Sequence, residues 1–541
     1  MAVGWTVVHD GKTPPPGEAV APDERLSWGR TVGLGAQHVV AMFGATFVFP
    51  VIMGLSPQLA IMMSGIATIC FLLIVQGKVP SYLGTSASFV GGATAIYSQD
   101  GGPDDVTGAI LVAGAVLALV GLLIHFAGPR VLHVVLPPAV TGAVVMLIGF
   151  NLAPVVADIY WPQDQWVALL TMAFVILVAV GARGFVGRIA IFLGLIFGYL
   201  LSWILDTVTG DITAWDAATQ KITTHARVNW DNVEAASWTG FPPHTPGDLV
   251  GNQTLEGNLN AVGWHAPSFS IAFILLVLPA VIALIAENTG HVKAVAEMTN
   301  RDLDPVMGRA IGADGVGTVI ASSVGGSPTT TYAENIGVMA ATRVYSTAAY
   351  YVAAIVAILF GFSPKFGALV SATPGGVLGG ITVILYGMIG LLGAKIWREN
   401  GVDFGNPINL VPLGAGIVIA IGNTELAVTD DFTLGGIALG TIVVLVFYHL
   451  SRAIAPTHLR DPDPGTLIAV GEPGVHEEDD EQQYGSHNGQ ADHGQTRGDD
   501  VGHDGLRREV GERREVGERR DSDADRRGNI GGGGSHRGDP T

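Results

Sequence analysis

Apolar stretches of about twenty residues recur from Thr31 to Leu450, which is the length an α-helix needs to cross a bilayer core. In lipid the backbone must satisfy its own hydrogen bonds, so such stretches become helices, or irregular segments lining a cavity within the protein. With 541 residues, 49% hydrophobic and only 14% charged, the chain reads as an all-α polytopic membrane protein. Setting aside residues 1–30 and the polar region after Ser451 leaves about 420 residues, room for about fourteen spans at roughly 30 residues per span and loop. No soluble enzyme domain remains to be placed. The N-terminus lacks a charged-then-apolar run with a small-residue cleavage site, so the first helix is expected to insert directly.

The expected spans are 31–53, 58–76, 79–97, 106–127, 138–153, 165–182, 188–206, 268–292, 311–324, 329–342, 347–362, 376–394, 407–421 and 432–449. With the N-terminus in the cytoplasm, the inner side receives Arg25, Arg30, Lys78, Arg130, Arg183, Arg188, Lys293, Arg301, Arg309, Arg343, Lys395, Arg398, Arg452 and Arg460. Only Lys221, Arg227 and Lys365 fall outside. This asymmetry is what the positive-inside rule demands, and a helix missed or invented mid-chain would destroy it. Both termini are therefore expected in the cytoplasm.

Two spans, the third and the tenth, are interrupted: Pro80-Ser81-Tyr82-Leu83-Gly84-Thr85-Ser86-Ala87-Ser88-Phe89 and Ser327-Pro328-Thr329-Thr330-Thr331-Tyr332-Ala333-Glu334-Asn335. They lie seven spans apart. Seven is odd, so the halves have opposite topology, and paired broken segments at matching positions point to a binding site near the bilayer midplane. Two carboxylates strengthen that reading, Glu287 in the eighth span and Glu334 in the tenth, because an ionisable group at bilayer depth usually faces a water-filled cavity on a substrate or proton path. His291 is four residues from Glu287, so on a helix the two share a face and can pair. Glu334 begins a half-helix whose N-terminal amides favour negative charge or a polar ligand. Thr329, Thr330 and Thr331 are expected to satisfy exposed backbone, and Ser86 and Ala87 to present free backbone groups opposite. Carboxylate acceptors facing backbone donors and acceptors suit a flat neutral molecule with adjacent N–H and C=O groups, such as a nucleobase. A zinc site is excluded because the residues around Glu287 do not form the His-Glu-x-x-His pattern, and no cofactor is expected.

Outside the spans, residues 207–267 form the longest connection, polar and aromatic-rich, and Asn252-Gln253-Thr254 within it matches the glycosylation acceptor pattern. The tail 451–541 is expected to be cytoplasmic, charged and disordered, with the acidic run Glu477-Glu478-Asp479-Asp480-Glu481 and scattered His476, His487, His493 and His503. A net charge of −19 with few lysines suits a halophilic source, where carboxylates hold hydration. The one cysteine, Cys70, excludes a disulfide within the chain.

Around the site residues the sequence resembles the nucleobase-ascorbate transporter family, also called nucleobase-cation symporter-2, and within it the uracil permeases. Glu334-Asn335-Ile336-Gly337-Val338-Met339-Ala340-Ala341-Thr342-Arg343 is similar to the family signature, an acidic or amide residue, Asn, any, Gly, four any, Thr and a basic residue. Gln37-His38 with Ala41-Met42-Phe43-Gly44-Ala45-Thr46, Tyr82-Leu83-Gly84-Thr85-Ser86, and Ala286-Glu287-Asn288-Thr289-Gly290-His291 resemble the family's first, third and eighth helices. The resemblance implies fourteen spans as two inverted repeats of seven, a core domain of spans 1–4 and 8–11 against a gate domain of spans 5–7 and 12–14, and a homodimer. It also implies that Glu287 and Glu334 hold the base, that His291 supports Glu287, that Tyr332 and Ala333 pack or donate backbone beside it, and that Ser86, Ala87, Ala45 and Tyr386 line the pocket. Asn335, Gly337, Thr342 and Arg343 are the signature positions.

Two departures stand out, since uracil permeases have Phe where Ala87 stands and Gly where Ala333 stands. Purine members typically carry Gln in place of Glu334, which favours uracil or a related pyrimidine over xanthine. With no added acidic cluster for sodium, Glu287, Glu334 and His291 are the expected proton-coupling groups. The expected function is proton-coupled symport of a nucleobase across the cell membrane, with a purine permease on the same fold, or an anion transporter or channel of the related sulfate-permease fold, as the alternatives.

Overall fold

The computed structural model describes residues 4–15, 17–128, 134–216, 221–244, 262–429 and 432–460. Arg130, the Asn252 triplet, and the tail's acidic run, histidines and repeats lie outside them. Each expected span contains a helix: α1 (Trp28–Ile52), α2 (Pro57–Ile74), α3 (Val90–Tyr97), α4 (Pro103–Ala127), α5 (Pro138–Asn151), α6 (Gln165–Gly181), α7 (Ala190–Thr209), α8 (Ile271–Val277) running into α9 (Pro279–Thr299), α10 (Asp304–Ser322), α11 (Ala333–Thr342), α12 (Thr347–Phe360) with α13 (Pro364–Ser371), α14 (Gly375–Glu399), α15 (Pro407–Ile421) and α16 (Gly436–Ile454). Among the described residues eight helices are long and apolar enough to cross a membrane, and α12 with α13 form a further pair bent by 86°. Segments α3, α6 and α15 are shorter. The chain is a mostly helical, multi-pass membrane protein.

The third and tenth segments are shortened because their first halves are strands. β1 (Leu83–Thr85) and β2 (Thr329–Thr331) pair antiparallel, Leu83 opposite Thr331 and Thr85 opposite Thr329. Each broken segment thus satisfies the other's backbone, the requirement placed on non-helical chain away from water. The strands are held laterally as well: Thr68 Oγ1 accepts from the Leu83 amide at 2.9 Å and Thr318 Oγ1 donates to the Thr329 carbonyl at 2.9 Å.

Around this pair the helices approach closely through glycine. A Cβ at Gly121 of α4 would fall 2.2 Å from the Gly312 nitrogen of α10, the small-residue contact by which membrane helices gain packing without a hydrophobic driving force. Gly121→Val should therefore lower the midpoint of thermal aggregation in detergent by several degrees, an overpacking cost of about 1–3 kcal/mol. Gly181→Val, where no atom lies within 4 Å of the new Cβ, should leave it unchanged.

Residues expected only as a cytoplasmic lead-in are folded onto the rest of the chain. Val20 donates its amide to the Arg343 carbonyl at 2.9 Å and accepts from Tyr345 at 2.8 Å, Trp5 Nε1 reaches Thr347 Oγ1 at 2.8 Å, and Arg301 meets Asp23 at 3.0 Å. Arg301 holds the Asp23 carboxyl below its ordinary value, so this exposed pair is present at neutral pH and is lost as the pH falls through that lowered value. At the opposite end, the long connection contains a β-hairpin, Ile212–Asp216 with Lys221–His225. Arg227 then clamps it to two helices, contacting Asp164 at 2.8 Å before α6 and Asp206 at 3.1 Å in α7.

Candidate functional site

Helix α9 carries Glu287, Asn288 and His291, the β2–α11 segment carries Thr331 to Asn335, and β1 leads to Ser86 and Ala87 before α3. Glu287, His291, Glu334 and Ala87 retain partial exposure and Ala333 is exposed, while Ser86, Asn288, Thr331, Tyr332 and Asn335 on the same segments are buried. These five thus keep accessible surface on three separate elements. The carboxyls of Glu334 and of Asp314 in α10 both act electrostatically on Glu287.

Behind the exposed groups runs a buried chain of hydrogen bonds. Asn288, with no exposed surface, donates Nδ2 to Asp314 Oδ2 at 2.6 Å. Its Oδ1 accepts from Thr331 Oγ1 at 2.9 Å. The Thr331 hydroxyl in turn lies 2.8 Å from His291 Nδ1. Asn288 Nδ2 also donates to the Leu284 carbonyl at 3.0 Å, an acceptor only, which orients the amide, and the amide oxygen takes the single Thr331 proton. His291 must then donate from Nδ1, leaving Nε2 as its acceptor. His291 was expected to pair with Glu287; the structure gives its Nδ1 to Thr331 instead, because β2 runs alongside α9.

The broken segments are also more fully occupied than expected. The Ser86 amide donates to the Pro328 carbonyl at 2.9 Å and the Tyr332 amide to the Tyr82 carbonyl at 3.0 Å, so neither is free for a ligand. Strand pairing extends past β1 and β2 and consumes them. Tyr332 lies across Gly84, where a Cβ would come 2.4 Å from its ring. Its hydroxyl donates to the Thr85 carbonyl at 2.7 Å and accepts from Thr46 at 3.1 Å. Ala45, next to Thr46 on α1, is buried.

Among the signature positions, Asn335 is fully buried and donates to the His38 carbonyl at 2.9 Å. It anchors α11 to α1. Gly337 lies under the Arg188 side chain, Thr342 donates to the Val338 carbonyl at 3.0 Å, and Arg343 ends the helix in a left-handed conformation, φ 54°. Tyr386 stands apart from these groups, lining a cavity of about 430 Å³ with Phe150, Val156 and Trp161.

Asn288 and Asp314 were not singled out from sequence. Asp314 lies within the apolar stretch 311–324 and meets the same criterion as Glu287, an ionisable group at span depth. Asn288 had no such signal, since only the approach of α10 and β2 gives it partners.

A model of the xanthine and uracil permeases, described as "Permease family", matches residues 29–429. A protein named as a pyrimidine permease, RutG, in Escherichia coli (strain K12) is 42% identical over 456 residues, covering 83% of this chain and 95% of that protein. A uracil permease of Bacillus caldolyticus is 34% identical over 430 residues, covering 78% and 91%, and one of Escherichia coli (strain K12) is 33% identical over 437 residues, covering 79% and 92%. Among solved structures, the murine Solute Carrier 26 family member A9 anion transporter in the inward-facing state shares the fold, with a TM-score of 0.54 at 11% identity, covering 79% of this chain and 69% of that one. The chain belongs to the nucleobase-ascorbate transporter family, the xanthine and uracil permeases.

Proposed function

We propose that this permease imports uracil or a closely related pyrimidine together with protons across the cell membrane by alternating access. The observation that carries the reading is the placement of Glu287 and Glu334 on neighbouring elements, both partly exposed, with a hydrogen-bonded chain from His291 to Asp314 behind them. Carboxylates accept from the ring N–H groups of a pyrimidine, and the amides opening α11 offer donors for its carbonyls. A cluster of carboxyl groups away from bulk water can exchange protons as the cavity opens to one side or the other. Relatives named as uracil and pyrimidine permeases support the substrate class.

On this reading the fourteen segments are two inverted repeats of seven, with both termini cytoplasmic. Support comes from packing: α2 lies on α12 as α10 lies on α4, and the third and tenth segments pair with each other. Spans 1–4 and 8–11 form the core that carries the site, spans 5–7 and 12–14 form the gate, and two copies associate. Glu287, Glu334 and His291 bind the base and carry the proton. Ala87 and Ala333 line the pocket, Tyr332 with Ser86 shapes its rear wall, Ala45 supports it from α1, and Tyr386 approaches from the gate. An anion transporter shares the fold, but a pocket bearing two carboxylates opposes anion binding.

Uptake of radiolabelled uracil into proteoliposomes tests the proposal. An inward proton gradient should accelerate uptake, an uncoupler should abolish the acceleration, and excess unlabelled xanthine should leave it unchanged. Gradient-independent uptake would remove proton coupling, and strong xanthine competition would move the substrate to purines.

A further inference from the structure

At the face where α1 and α3 end, external in the proposed orientation, lies a partly open cavity of about 140 Å³ with polar and apolar lining, in which Ser98, Asn423 and Glu425 are exposed. One wall is a face of α3 and the turn after it, Thr94, Ser98 and Gln99; the other is Asn151 at the end of α5 with Asn423 and Glu425 from the connection between α15 and α16. Its walls thus come from both the proposed core and the proposed gate. Asn151 and Asn423 converge over Gly436: a Cβ there would fall 2.6 Å from Asn423 Oδ1 and 3.2 Å from Asn151 Nδ2. Gly436 has φ +51°, a left-handed backbone that glycine adopts without strain.

The hydrogen-bonding groups there are only partly used. Asn151 Nδ2 donates to the Ala420 carbonyl at 2.5 Å, and Gln99 Nε2 makes long contacts of 3.4 Å to the Ala95 and Thr433 carbonyls. Among the described residues the Asn423 carboxamide forms no hydrogen bond, and the amide oxygens of Asn151 and Gln99 accept none. A carboxamide places a donor beside an acceptor, the pattern that pairs bidentately with the edge of a base. Ala87, at the central site, lies seven residues before Thr94 along Ala87–Tyr97, about 10 Å at helical rise.

We propose that this cavity is an outer holding site for a neutral single-ring base with alternating N–H and C=O groups, held by the carboxamides of Asn151, Asn423 and Gln99 before it passes along α3 to the carboxylates. The inference rests on the substrate class proposed above and adds a second site on the path to the first. Glu425 at the rim disfavours anionic rings.

The test uses the chain's single cysteine. Full-length protein carrying Cys70→Ala and Ser98→Cys is placed in lipid nanodiscs, where both faces are reachable, and maleimide labelling is timed with and without uracil, in the parent background and with Glu334→Gln. Uracil should slow labelling at least threefold in both backgrounds. Adding Asn151→Ala with Asn423→Ala should abolish the protection and, in the otherwise unaltered chain, raise the KM for uracil uptake at least threefold with little change in maximal rate. Protection that vanishes with Glu334→Gln or that survives loss of both asparagines overturns the outer site. So does absence of protection while the unaltered chain still takes up uracil. Absence of both uptake and protection overturns the pyrimidine assignment for both sites.

Discussion

Glu334→Gln is expected to reduce uracil uptake at least tenfold while leaving the thermal midpoint of the purified protein unchanged. The side chain is partly exposed in the first turn of α11, and α11 is held by Asn335 on His38, so the fold does not depend on the Glu334 charge. A hydrogen bond to a charged partner contributes about 1.5–3 kcal/mol, which corresponds to roughly ten- to hundredfold in affinity. Gln keeps one acceptor but adds donors, so binding should shift toward rings that present an acceptor at that edge. Uptake of xanthine by the variant would show such a change. Full uracil uptake would take Glu334 out of the site. Glu287→Gln should be at least as damaging, because Glu287 is next to the Asn288–Asp314 pair and acts together with two other carboxyls.

The second large effect is expected at Asp314, which no ligand need touch. Asp314→Ala leaves the Asn288 amide without its 2.6 Å acceptor, and an unpaired buried donor costs about 1–3 kcal/mol. The thermal midpoint should fall, and uptake should fall with it as His291 and Thr331 lose their fixed orientation. Asp314→Asn separates stability from proton handling, since a carboxamide oxygen still accepts from Asn288 but cannot carry a charge. Its midpoint should stay close to that of the parent while gradient-driven uptake drops at least tenfold. If Asp314→Asn transports like the parent, the buried chain requires only an acceptor there, and its proposed part in proton coupling is dropped.

Most helix positions were legible from sequence to within a few residues, and so were the interrupted third and tenth segments, but α9 runs on to Thr299 and α10 starts at Asp304, well beyond the expected 292 and 311. Glu287, Glu334 and His291 were legible because charge in an apolar run is conspicuous. The role of Thr331 was not: beside Thr329 and Thr330 nothing marks it as the residue that joins His291 to Asn288. Ser86 was read as offering free backbone and Tyr332 as packing or donating backbone beside the base, and their amides are taken by Pro328 and Tyr82, partners remote in sequence that strand register alone selects. The folded segment before α1 had no apolar periodicity to announce it, and its order comes from Val20 and Trp5 meeting the chain beyond Arg343.

Sequence by itself determined where the apolar helices of this chain lie, because a membrane requires each span to be apolar and to satisfy its own backbone, a local property that can be read residue by residue. Only the tertiary structure decided what the broken spans do. Their backbone groups and the buried polar side chains beside them are satisfied across the molecule, Leu83 against Thr331 and Asn288 against Asp314, and no local pattern encodes a partner that distant.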